Sequence, residues 1–248
     1  VRILISALAM LAVTACEPTF QVPDAAGAVA PPATAAPAAN RSLSQGEDLM
    51  RQVAQRIEPI AESTCRAETG RSGNFCDFQF QIAAGDQPNA FQTFQNGYPL
   101  IVFNEAMLRT VRNANEVAFI MSHEAGHHIA GHLQRRQQQV GLGGLAGALI
   151  LAGLGGDAQA GADLGQQIGG RAYSQSFELE ADVLGTYIAE LAGYDPVDGA
   201  ASFARFAGSS SILATHPPGA QRYGTVIATA QQIEAQRAQG LTPTIPRN

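Results

Sequence analysis

The sequence predicts an α+β domain, mostly helical, with a small antiparallel β-sheet beside a helix that carries His-Glu-x-x-His. Two observations carry this. Apolar residues recur at helical spacing over most of the chain after position 44, most clearly in "NEVAFIMSHEAGHHIAGHLQRR" (115–136) and "SFELEADVLGTYIAEL" (176–191). Between the first helical stretch and the histidine-rich one, "FCDFQFQI" (75–82) alternates apolar and polar residues, and "AFQTFQ" and "YPLIVF" flank Asn96-Gly97. Alternation reads as a half-buried strand, and Asn-Gly between two such runs reads as a tight hairpin turn.

From the N-terminus, Arg2 precedes an apolar run from Ile3 to Val13 that is too short to span a bilayer and has the form of a signal peptide (1–15). It ends in Val13-Thr14-Ala15-Cys16, which resembles a bacterial lipobox, with Cys16 as the lipidated residue. Glu17 rather than aspartate follows, which points to the outer membrane. Residues 16–43 hold the Pro/Ala-rich "VPDAAGAVAPPATAAPAAN" and read as a disordered tether. Leu49, Val53, Ile57 and Ile60 place a helix over 44–62. "NEAMLRTVRNA" is a short helix, and the histidine helix follows with Asn115 as its N-cap. The glycine-rich apolar stretch 141–156 is either a helical hairpin packed on the domain or a segment that dips into the membrane or lids the site. Helical patterns resume at 160–192, 197–207 and 219–239. The domain thus runs over 44–240, with a tail at 241–248.

The balance of charge excludes one class of partner. The net charge is −6 and there is no basic stripe, so nucleic acid is not expected. Beyond Cys16, the two remaining cysteines are Cys65 and Cys76. In an exported protein they read as a disulfide, the alternatives being free thiols or half of a metal site that has no further cysteines to complete it.

On a helix, His123 and His127 lie about 40° apart and one turn along, so both imidazoles reach one metal ion, with Zn²⁺ as the expected cofactor. Glu124 sits beside the first and is placed as the general base for water activated by the metal. Glycine at 130 and histidine at 133 would extend the motif into a three-histidine site, but Ala130 and Leu133 stand there. His132, nine residues past His123, lies about 180° round the helix and is expected off the metal. His128 also faces away. The third ligand is then a carboxylate from another helix. Glu178 and Asp182 share a face one turn apart, Glu178 to bind the metal and Asp182 to hold a ligand histidine in its tautomer. Glu180 points about 200° away from Glu178.

His123-Glu124-Ala125-Gly126-His127 with Glu178-Leu179-Glu180-Ala181-Asp182 resembles the Glu-zincin peptidases related to HtpX, BepA and the CAAX prenyl endopeptidase. The likeness extends to "NAF" (89–91), "PLIVFNEAML" and "THPP" (215–218) followed by Arg222, over roughly 45–235. It departs where the family often carries an arginine and this chain has Gln175. The resemblance implies a single-domain periplasmic lipoprotein, a zinc metalloendopeptidase acting in envelope quality control on unfolded or misassembled proteins. It places His216 near the metal, as an oxyanion donor or a plugging ligand, and Arg222 beside it or paired with a site carboxylate. The substrate is expected extended along "YPLIVF", taken as an edge strand. The rival class is a zinc-stabilised chaperone or assembly factor with little proteolysis.

Overall fold

The computed structural model describes residues 19–24, 40–154, 156–160, 163, 173–202 and 220–248. Cys16 and His216 lie outside the described residues, so their expected roles have no structural counterpart here.

Helix α1 (Leu43–Thr69) opens with a capping box, in which Ser42 accepts from the Gln45 amide and the Gln45 side chain accepts from that of Ser42. It extends past the predicted end at 62 because apolar residues on its buried face continue to Cys65, and Gly70, at φ 66°, closes it. Met50, Val53, Ala54, Ile57 and Ala61 form that face. A 3₁₀ turn (Gly73–Cys76) follows, where Cys76 is bonded to Cys65 across a Cα–Cα distance of 5.6 Å. The predicted strand over 75–82 therefore starts late: β1 spans Gln79–Ala83, because the bridge holds Cys76 in the turn.

Strands β2 (Ala90–Gln95) and β3 (Tyr98–Asn104) form the predicted hairpin, with Asn96 and Gly97 at φ 53° and 84° in the turn. The sheet order is β1-β3-β2, with β1 parallel and β2 antiparallel to β3. The sheet is thus mixed rather than wholly antiparallel. "YPLIVF" is its central strand, not an edge. Its residues from Leu100 to Phe103 are all buried, as a strand covered on both faces requires.

Helix α2 (Glu105–Thr110) is capped by Asn104, and α3 (Ala114–Ile129) by Asn113 rather than Asn115. Asn115 instead ties the helix start to Asp198 and to the Asp195 amide. Every residue of α3 from Glu116 to Ile129 is buried, so it is the central helix of the domain. Gly131, at φ 69°, then breaks the chain direction, and α4 (His132–Gly153) begins anew. The predicted single helix over 115–136 is two helices. Of the 141–156 stretch, residues 141–153 belong to α4, one continuous helix rather than a hairpin; Leu142, Leu145, Leu149 and Ile150 are exposed along it. Among the described residues, no helix is long and apolar enough to cross a membrane.

Helix α5 (Gln175–Leu191) lies across α3, followed by the short α6 (Pro196–Ala200) and by α7 (Ala220–Ala238). Glycines permit the close crossing. A Cβ on Gly126 would sit 2.8 Å from the Ala181 carbonyl oxygen, and one on Gly185 would sit 2.9 Å from the His123 amide nitrogen.

Part of the predicted tether is packed. Thr19–Asp24 runs over the domain: Phe20 pairs antiparallel with Arg247, Gln21 donates to the Pro246 carbonyl at 2.9 Å, and Phe20 is buried in the core. Val22 packs with Val183, Tyr187 and Ile233. The apolar side chains at 20 and 22 set this stretch apart from the Pro/Ala run after it.

Candidate metal centre

Because α3 and α5 cross at Gly126 and Gly185, the last two turns of α3 meet the first turns of α5. His123, His127 and Glu178 come together there, each buried, with one ligand atom apiece lying within 4.8 Å of one another. His123 Nε2 and His127 Nε2 are 3.0 Å apart, and each is 3.5 Å from a Glu178 oxygen. A tetrahedral ion with bonds near 2.05 Å sets its ligand atoms about 3.3 Å apart, so the donor set fits one. Asp182 lies 2.9 Å from His123 Nδ1. A carboxylate there accepts the Nδ1 proton and turns the Nε2 lone pair toward the centre.

Arg222, on the first turn of α7, is buried and reaches both carboxylates: Nε and Nη2 donate to Asp182 at 2.8 and 2.7 Å, and Nη1 lies 3.0 Å from Glu178. Of the two positions expected for it, the structure shows the pairing with site carboxylates. Gln175, where relatives often have arginine, binds Gln221 on α7 at 2.8 Å and does not enter the site.

The electrostatics follow from burial. Desolvation and the Arg222 charge oppose a proton on His123, but hydrogen bonds to Asp182 and Glu178 outweigh them and raise its pKa to about 9. His127 is driven the other way, by burial first and then by His123. Glu124, one residue past His123, is itself buried. Tyr173 stacks on the His127 ring at 4.2 Å between centroids, and burial raises its phenol, with Glu124 and Glu178 adding to the effect. Its place in the site has no signal in the sequence, since a lone tyrosine within the predicted 160–192 helical stretch belongs to no ligand or catalytic motif.

One correction concerns a histidine. His132, expected on the far side of a continuous helix, is fully buried, with its Nδ1 2.8 Å from His127 Nδ1 and its Nε2 2.9 Å from Glu180. The break at Gly131 swings it back toward the site. Glycine after an apolar helical run is a stop signal, and it was available in the sequence. His128 does face away from the metal residues. It is buried against Phe75, Phe78 and Phe94 and lies 2.7 Å from the Phe75 carbonyl.

Comparison with known proteins is consistent with this arrangement. The chain matches Peptidase family M48 over residues 49–230, which includes every residue of the cluster. It is 30% identical over 131 residues to the beta-barrel assembly-enhancing protease of Yersinia pestis, and 30% identical over 129 residues to the protein of that name from Escherichia coli K12. Each match takes in 48% of this chain and only 26% of the relative. With the match spanning most of its length and the histidine and glutamate donors assembled, the chain belongs to peptidase family M48, a family of metallopeptidases.

Proposed function

We propose that the protein is a zinc-dependent endopeptidase of the bacterial cell envelope that cleaves unfolded or misassembled proteins. The observation that carries this is the buried convergence of His123, His127 and Glu178 with Glu124 on the same helix turn. Zinc held by the three donors supplies Lewis-acid activation of water and of the scissile carbonyl. Glu124 accepts the proton that the attacking water loses and returns it to the departing amine, so the base is regenerated in each cycle. Asp182 and Arg222 keep His123 and Glu178 in place.

Substrate binding by strand addition moves to β2. It is an edge strand, and Phe94 on it packs against His128 of α3, which places the edge beside the metal helix. Main-chain pairing there reads backbone more than side chain and suits unfolded chains. Envelope placement is supported by the lipobox at Cys16 and by relatives named for β-barrel assembly.

The test pairs metal content with cleavage of a permanently unfolded reporter protein. Wild type should bind one zinc per chain and cut the reporter. Glu124→Gln should keep the zinc and lose cleavage by at least a hundredfold, whereas Glu178→Ala should lose the zinc. Full zinc in Glu178→Ala refutes the ligand set. Glu124→Gln that still supports the cellular role favours the chaperone reading.

A further inference from the structure

A chain of hydrogen bonds leads from the metal cluster to the N-terminal segment. His127 Nδ1 is 2.8 Å from His132 Nδ1, and His132 Nε2 is 2.9 Å from Glu180 Oε2. Glu180 Oε1 accepts from the backbone amides of Thr19 at 2.6 Å and Phe20 at 2.9 Å. Arg135 Nη2 adds contacts to Glu180 Oε2 and to Thr19 Oγ1, at 3.4 and 3.2 Å. Every member except Thr19 and Arg135 is buried.

With Glu180 a carboxylate and His132 neutral, as its burial favours, the proton positions along this chain have one consistent solution. Backbone amides only donate, so Glu180 Oε1 accepts. As a carboxylate, Glu180 also accepts at Oε2, so His132 carries its proton on Nε2. His132 Nδ1 is then an acceptor and takes the proton of His127 Nδ1. That leaves the His127 Nε2 lone pair facing His123 and Glu178, the tautomer a metal ligand needs.

We propose that His132 and Glu180 are positioning residues that couple docking of the segment Thr19–Asp24 to metal binding at His127. The segment is a strap. Its two amides complete the Glu180 carboxylate, Phe20 seats it in the core, and the pairing with Pro246 and Arg247 holds its far side. Released, the strap leaves Glu180 without two of its donors, and the order passed to His127 weakens. Linkage is reciprocal, so the metal tightens the strap by the factor by which the strap tightens the metal. The proposal rests on the metal reading of His123, His127 and Glu178.

Two readouts test it, neither of them proteolysis. The first is zinc affinity by competition with a chromogenic chelator. The second is amide hydrogen exchange of residues 19–24, with and without zinc, compared with the β2–β3 hairpin as a reference for global stabilisation. In wild type, zinc should slow exchange of the strap at least several-fold beyond its effect on the hairpin. Phe20→Ala should weaken zinc by a similar factor. His132→Phe keeps the stack on Phe177, whose ring lies 4.4 Å away, but removes the relay. It should weaken zinc roughly 10- to 100-fold and abolish the extra protection of the strap. Should His132→Phe not fold, Glu180→Gln serves, because an amide cannot accept at both ends of the chain. A strap that ignores zinc in wild type, or unchanged zinc affinity in the relay variants, overturns the proposal while leaving the metal site intact. Wild type that binds no zinc refutes the metal reading itself.

Discussion

At the scale of single residues, the centre shows how one short sequence sends neighbouring histidines to different tasks. His127 turns inward to the metal cluster, while His128 turns to three phenylalanines and the Phe75 carbonyl. Burial, with Arg71 adding to it, outweighs the Phe75 contact and lowers the His128 pKa from 6.5 to about 4. Neutral His128 thus favours the folded state fully above pH ~6.5, and that contribution is lost as the pH falls toward 4. The full pKa difference corresponds to about 3 kcal/mol, of which roughly 2 kcal/mol is lost between pH 7 and pH 4.5. Denaturant unfolding at pH 7 and pH 4.5, with chelator present, should show His128→Phe losing less stability on acidification than wild type by about that amount. Parallel losses would mean that His128 does not titrate in this window. The pairing of His123 with His127 is legible in the sequence because ligands four apart on one helix are fixed by helix geometry alone, whereas Glu178, on another helix, is reached only from the missing third ligand and the resemblance of its motif. His132 is not placed by the same geometry, because a rotation computed across Gly131 assumes a helix that ends there.

At the scale of elements, the site depends on how near α3 and α5 come. The two glycines at the crossing are the sequence's record of that distance, although nothing in the periodic pattern says which helices meet. Gly185→Ala would push a methyl against the His123 backbone. It should destabilise the fold by about 1–3 kcal/mol and weaken zinc more than it lowers the melting temperature of the metal-free protein. Thermal melts with and without zinc check this, and equal shifts in both would count against the crossing as the determinant of ligand spacing. The disulfide ties the end of α1 to the turn before β1. Reduction, or Cys65→Ala with Cys76→Ala, should cost about 2–3 kcal/mol in denaturant melts and leave zinc stoichiometry at one. The hairpin is legible from Asn96-Gly97, whereas the parallel pairing of β1 with β3 is not. Pairing partners across a connection are chosen by tertiary packing, which alternation within a strand does not encode.

At the scale of the whole molecule, the two ends of the described chain meet. Thr19–Gln21 pairs with Pro246–Asn248, and Arg247 reaches Glu68 on α1 at 2.8 Å. Removal of the last three residues should therefore loosen the strap and weaken zinc in the same sense as Phe20→Ala, measurable by the same chelator competition; an unchanged affinity would show that Glu180 alone secures the strap. The Pro/Ala composition hides this docking, because composition over a window averages away two apolar side chains. The docked strap also sets a working radius. Two residues, Glu17 and Pro18, lie between Cys16 and Thr19, and the three Cα steps from one to the other span at most about 11 Å. On the proposed acylation of Cys16, the leash is that short, and the Pro/Ala stretch after the strap lends it no length. The protease would stand against the bilayer like a stationary tool rather than sweep the periplasm. Its substrates would be those brought to the membrane face, and a flexible insert between Cys16 and Thr19 should widen the range of proteins it cuts without changing its rate on a short soluble peptide.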